Sequence, residues 1–163
     1  MGNFASSIAA FAATAAVNTD AVVRSAERAL FGAIIAGTPC DTGLAISNWI
    51  CSVDAPDTSV RVAFEPGKKG SGGKDRVGKH GSKEHAVDSS VREANVDAST
   101  ADMATKVGGA GMVTYLSNNL PYAYGLEFGT NSYGYSKQAP EGMVRINVAR
   151  WQQIVDDVAE ALS

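Results

Sequence analysis

The stretch Trp49-Ile50-Cys51-Ser52-Val53-Asp54-Ala55-Pro56-Asp57-Thr58-Ser59-Val60-Arg61-Val62-Ala63-Phe64-Glu65 decides the fold class. Trp49, Cys51 and Val53 alternate with Ile50 and Ser52, and Val60, Val62 and Phe64 alternate with Arg61, Ala63 and Glu65. That two-residue period is the mark of strands with one apolar face. Asp54 to Ser59 between them is rich in turn formers, so the spacing predicts an antiparallel hairpin. Met112 to Ser117 repeats the period, with Val113 and Tyr115 opposing Met112, Thr114 and Leu116, and predicts a third strand in the same sheet.

Helical spacing appears on both sides of this β region. Val23, Ala26, Leu30, Ala33 and Ile34 place an amphipathic helix over Asp20–Ala36, with Arg24, Glu27 and Arg28 off the stripe. Thr19 or Asp20 suits its cap, Gly37 a left-handed stop, and Pro39 forbids continuation. Phe4, Ile8, Phe11 and Ala15 extend a similar stripe upstream, with an interruption expected at Asn18-Thr19-Asp20. Beyond Pro140, Val144, Val148, Trp151, Val155, Val158 and Leu162 step by four and three residues in turn, the clearest helical seam in the chain. Weaker periodicity over Ala86–Lys106 predicts a further helix ended by Gly108 and Gly109. Asn119-Leu120-Pro121 opens a short one over Tyr122–Phe128 that Gly129 stops. The fold class is therefore α+β: a small antiparallel sheet packed by an N-terminal and a C-terminal amphipathic helix.

The 163 residues suit one domain, with 1–19 as an alanine-rich segment and Gly/Lys-rich 66–85 as a flexible loop. That loop interleaves Gly67, Gly70, Gly72, Gly73, Gly78 and Gly81 with Lys68, Lys69, Lys74, Arg76, Lys79 and Lys83, a composition that builds no core. Fourteen Lys plus Arg against seventeen Asp plus Glu give a net charge of -3, which provides no global field for nucleic acid, so any such contact must be local. The basic loop is the local candidate, for DNA phosphates, for docking on an acidic neighbour, or as a solvated linker. Cys40 and Cys51 are too few for a disulfide scaffold and lack the neighbours of a zinc site; they read as reduced small hydrophobes of an intracellular chain. Phe4 to Val17 is shorter than the ~20 residues of a membrane span and follows no basic residue, so neither anchor nor signal is expected.

Catalytic patterns are weak throughout. Gly73-Lys74-Asp75-Arg76-Val77-Gly78-Lys79-His80 approaches a phosphate-binding loop, but His80 stands where Ser or Thr would hold magnesium. His80 and His85 are the only histidines, and Asp156-Asp157 are adjacent on a helix rather than opposed across a cleft. No nucleophile elbow or zinc-helix motif occurs. No enzyme, metal site or cofactor is expected.

Four strings in order carry more information: Thr38-Pro39-Cys40-Asp41-Thr42-Gly43 with Trp49, Asn118-Asn119-Leu120-Pro121-Tyr122-Ala123, Leu126-Glu127-Phe128-Gly129, and Ser136-Lys137-Gln138-Ala139-Pro140-Glu141-Gly142-Met143-Val144-Arg145. Together, over about Asp20 to Ser163, they resemble the HK97 gp10-like family of tailed bacteriophages, whose members are tail-completion or neck proteins. Cys40 departs from the family pattern, which usually has Val there. The resemblance implies a virion structural protein made in the bacterial cytoplasm. It would form a ring, expected to be six-fold, that joins the tail to the head connector and touches other neck and tail proteins and passing DNA. A tail terminator or head-tail stopper is the alternative, and a small DNA-binding protein a different class. Within the strings, Asp41 and Thr42 suit capping of a short helix from Leu44, and Gly142 relieves crowding before Met143. Glu127, near a helix C-terminus, needs a cation, with Arg145 and Arg150 the candidates, within one subunit or across a ring interface. Tyr122 joins Asp41, Thr42, Glu127, Arg145 and Arg150 as an assembly candidate.

Overall fold

A computed structural model describes residues 3–40, 43–61, 89–129 and 137–162. The elements are α1 (Asn3–Gly37), α2 (Leu44–Ser47), β1 (Ile50–Val53), α3 (Ser89–Lys106), β2 (Thr114–Ser117), α4 (Ala123–Phe128), α5 (Arg145–Val148) and α6 (Trp151–Ala161). The class is α+β, with helices at both ends and a two-stranded antiparallel sheet.

Helix α1 passes through Asn18-Thr19-Asp20 without the expected interruption. Thr19 Oγ1 donates to the Ala15 carbonyl one turn back (2.9 Å), and Asp20 accepts from Arg24 Nε one turn on (2.7 Å). The polar side chains that could compete with the helix are satisfied along it instead. The stop also differs from expectation, because Gly37 is not in the left-handed region. Thr38 ends the helix: its amide donates to the Ile35 carbonyl (3.2 Å), its hydroxyl to that of Ile34 (2.8 Å), and Pro39 follows.

Helices α1 and α3 cap one another. Arg92 of α3 donates to the Thr38 carbonyl (3.0 Å) and to that of Ala36 at the end of α1. Arg24 and Arg28 of α1 donate to the Val107 (2.9 Å) and Ala104 (3.0 Å) carbonyls at the end of α3. Each C-terminus leaves carbonyls without helical partners and carries partial negative charge, so a guanidinium suits both needs. The exchange fixes the two helices antiparallel.

Between them lies the core: Ile34, Ile35, Cys40, Ile46, Trp49, Cys51, Met103, Val107 and Met143, with Leu30, Phe31, Val96, Leu116, Leu126 and Val144 packed against it. Both cysteines are buried as small hydrophobes, and burial pushes the Cys51 thiol up to about 11. Trp49 enters the core with its Nε1–H donating to Thr38 Oγ1 (2.7 Å), so its polar atom is buried without loss.

The sheet departs from the predicted hairpin. β1 pairs with β2, in the register Ile50↔Ser117, Cys51↔Leu116, Ser52↔Tyr115 and Val53↔Thr114, so the Met112–Ser117 strand sits directly beside the first. The segment after β1 turns away at Asp54, whose φ is 67°, and Ser52 Oγ and the Asp57 carboxylate bind the amides of Asp57 and Ser59. At Arg61 the buried Asn48 amide takes both backbone groups, donating to the carbonyl (2.8 Å) and accepting from the amide (2.6 Å). Those are the groups a hairpin ladder would have used at that residue. Val60 is 58% exposed instead of facing a core, and 62–64 lie outside the described residues.

The C-terminal seam is likewise two helices, not one. Asn147 Nδ2 donates back to the Met143 carbonyl (2.8 Å), and the chain turns through Ala149 and Arg150 before α6 starts. Helix α6 packs on α1 yet contains no fully buried residue. Replacing Asn48 with Ala leaves the Arg61 amide and carbonyl without their partner. Urea unfolding is expected to show a loss of about 2–4 kcal/mol with an unchanged m-value.

Candidate assembly interface

Two of the resembling strings, Leu126–Gly129 and the segment ending at Arg145, meet around one carboxylate. Glu127 lies in the last turn of α4, where the helix's own carbonyls repel an acid. It is 5% exposed and is held by donors from the chain that opens α5. Oε2 accepts from the amides of Met143 (2.7 Å) and Val144 (2.8 Å), and Oε1 from the amide (2.9 Å) and Nε (3.0 Å) of Arg145. Burial alone would raise its pKa, but the three amides and the guanidinium outweigh it and hold the carboxyl below the ordinary glutamate range. Arg145 is therefore the cation Glu127 requires, and within one chain; it also donates to the Glu127 carbonyl (2.9 Å). Arg150 is exposed at the α5–α6 break and is not that partner.

Gly142 makes the approach feasible. Its φ is 85°, and an added Cβ would lie 2.7 Å from Glu127 Oε1 and 2.9 Å from the Glu127 carbonyl oxygen. Both facts select glycine, in agreement with the crowding inferred from sequence.

The other strings tie in by side-chain amides. Gln138 brackets Cys40, accepting from its amide (2.8 Å) and donating to its carbonyl (2.9 Å). Asn118 donates to the Ala45 carbonyl (2.9 Å) at the end of β2, and Asn119 to the carbonyls of Asp57 and Ser59 (2.9 Å each). Helix α2 starts at Gly43, which supplies a left-handed φ of 80° and no side-chain cap. Asp41 and Thr42, expected to cap it, lie outside the described residues. So do Lys68, Lys69, Lys74, Arg76, Lys79 and Lys83 of the basic loop.

Outside this frame the surface is apolar in places where a lone chain gains nothing by it. Tyr124 is 72%, Phe128 42% and Tyr122 45% exposed on or beside α4. The Tyr124 and Phe128 rings lie 4.6 Å apart, and the Arg145 guanidinium sits 4.8 Å above the Phe128 ring, so the side chain that answers Glu127 also reaches the surface. Sequence reasoning chose Tyr122 and passed over Tyr124 and Phe128, although their spacing of four within a short helix was the available signal. Val148, Trp151 and Leu162 are 49%, 38% and 53% exposed along the C-terminal seam. Aromatic and aliphatic groups with an arginine among them are the composition of protein contact surfaces.

The described residues offer less for chemistry. A cavity of about 500 Å³ is lined by Ala36, Arg92, Glu93, Val96 and Asp97, but its arginine is engaged with the end of α1. No three His, Cys, Asp or Glu side chains among the described residues are grouped to share a metal ion.

Comparison of the chain with protein-family models, with curated proteins and with solved structures finds no match.

Two substitutions test the carboxylate. Glu127→Gln presents an NH₂ donor to a ring of donors and is expected to cost about 3 kcal/mol at neutral pH. Because the folded pKa is depressed, the charge's contribution is complete above the ordinary glutamate value of 4.5 and is lost as pH falls through the lower folded value. A pH series of chemical denaturation should show that acid-labile component in the parent chain and not in the variant. Gly142→Ala should lower stability by about 2 kcal/mol or more through its left-handed φ and the Glu127 contact.

Proposed function

We propose that this chain is a virion structural protein of a tailed bacteriophage, a tail-completion or neck subunit that joins the tail to the head connector as a closed ring. What supports the reading is the engagement of three of the resembling strings: Thr38 with Trp49, Cys40 with Gln138, and Glu127 with Met143, Val144 and Arg145. Residues separated by up to 98 positions in the chain bind one another directly, which is expected if the strings belong together as parts of one framework.

The same contacts favour work by shape over work by chemistry. Glu127, Gln138, Asn118 and the Trp49 indole N–H all have partners in the framework, and Tyr122, Tyr124, Phe128, Val148 and Trp151 are among the side chains that face outward. Heterologous contacts between identical copies close into rings when the rotation permits, and six-fold closure is the expectation carried by the family. In the particle the ring would cap the tail tube, meet the head connector and leave an axial path for DNA. A tail-terminator or stopper role in the same machine uses the same architecture.

Purified protein mixed with isolated tail tubes is expected to give rings at tube ends in negative-stain micrographs. Tubes left bare, together with salt-sensitive affinity for free duplex DNA, would replace this reading with a DNA-binding one. Replacing Lys68, Lys69, Lys74 and Lys79 with Ser asks whether the basic loop contributes: loss of ring assembly with DNA retention unchanged assigns it to subunit docking.

A further inference from the structure

Helix α1 has two halves with different surroundings. From Asp20 onward it is tied to the body: Asp20 accepts from the Ala110 amide, Glu27 from the Thr114 hydroxyl, and Arg24 and Arg28 donate to the end of α3. Before that, every described side chain from Ser6 to Thr19 is exposed, including Ile8 at 52% and Phe11 at 73%. This arm, residues 3–19, contains no charged residue. A helix of that length with its side chains exposed is marginal in water and gains stability where its apolar side chains are covered.

A bilayer is a poor cover. The stretch Ser6–Gly37 contains an 18-residue window apolar enough to be considered for one, with a mean hydropathy of 1.2. Its second half, however, is bound to protein through the four charged residues just named. The remaining arm is about 25 Å long against a hydrocarbon core of ~30 Å. The first basic residue of the chain is Arg24, so the arm has no cation to hold it at anionic headgroups.

A second copy of the chain is a better cover. Ile8, Phe11 and Ala15 follow the alternating three-and-four spacing of helices that interlock side chains, and so do Trp151, Val155, Val158 and Leu162. In α6, Ile154, Val155, Val158 and Ala159 are half-buried, whereas Trp151 at its start and Leu162 at its end remain exposed, as does Val148 at the end of α5. The molecule thus presents an uncharged apolar helix and a half-covered apolar seam of the same period.

We propose that the N-terminal arm of one copy docks along the exposed flank of the α5–α6 seam of the next. The contact is head-to-tail, so it propagates around a ring; in this it rests on the ring reading above and names the surfaces that meet. One face of a helix about 25 Å long and ~10 Å across covers about 400 Å². That is half of the ~800 Å² per partner found in stable pairs. A single arm therefore holds two copies weakly, and assembly depends on concentration or on a tube end that gathers subunits.

The test is cross-linking between separately purified single variants, Phe11→Cys and Trp151→Cys, mixed under mild oxidation. The native Cys40 and Cys51 are each 2% exposed and do not compete. Disulfide-linked heterodimers are expected. Phe11→Cys homodimers alone, or no cross-link, overturn the proposal. A second variant, Phe11→Asp, lies outside the packed body and should leave the melting temperature unchanged. It should also raise the concentration for half-assembly in sedimentation velocity by roughly tenfold or more. Unchanged assembly overturns the proposal, as does wild-type co-sedimentation with phosphatidylcholine vesicles that Phe11→Asp abolishes. Heterodimers from a protein that never caps tail tubes would support arm docking while removing the virion reading. Rings of Phe11→Asp at tube ends at the parent concentration would do the reverse.

Discussion

A carboxylate at the wrong end of a helix organises the second half of this chain. Glu127 is repelled by the carbonyls of α4 and largely withdrawn from water, so it is tolerable only if donors converge on it. They come from three consecutive amides at the start of α5 and from one guanidinium. A single side chain thereby compensates the end of one helix and the beginning of another, and fixes the path between them. Gly142 has to lack a side chain because that path runs against the carboxyl group. Met143, adjacent to it, then reaches the core beside Trp49 and Ile46.

The first half obeys the same rule with the signs reversed. Arg24, Arg28 and Arg92 supply donors to the carbonyl ends of α3 and α1, so the two helices are tied at their termini as well as through the core between them. The charged residues of α1 all lie in the half that is tied to the body, and the arm has none. On the proposed docking, that division gives the longest helix of the chain two tasks, anchoring at one end and contact at the other.

Much of this organisation was legible from residue order alone. The α+β class, the β2 segment, the short helix closed by Gly129, the demand of Glu127 for a cation and the crowding at Gly142 all follow from local rules, which act over a few residues and leave a trace in spacing. The pairing of strands did not, because alternation identifies a strand without naming its neighbour. The Val60 segment carries a good strand pattern, yet the buried Asn48 amide claims the backbone of Arg61 and β2 takes the edge of β1. Continuity through Thr19 and the break at Arg150 were missed for a related reason. Thr19 and Asn147 both bond back to a carbonyl four residues earlier; the helix runs on past the first and turns shortly after the second, and composition does not distinguish the outcomes. Arg145 and Arg150 were equivalent candidates until the fold brought only one of them to Glu127.

The proposed assembly, a framework closed internally by hydrogen bonds with its apolar arm and seam covered by a neighbour, makes a sharp statement about which amides are protected. Hydrogen–deuterium exchange of the dilute chain and of assembled rings reads it directly. The amides of Met143, Val144 and Arg145 should exchange slowly in both, whereas those of 6–19 should exchange fast in the dilute chain and slow on assembly. Rapid exchange at 143–145, or an arm already protected in the isolated subunit, would contradict the division between a self-sufficient frame and a surface completed by another copy.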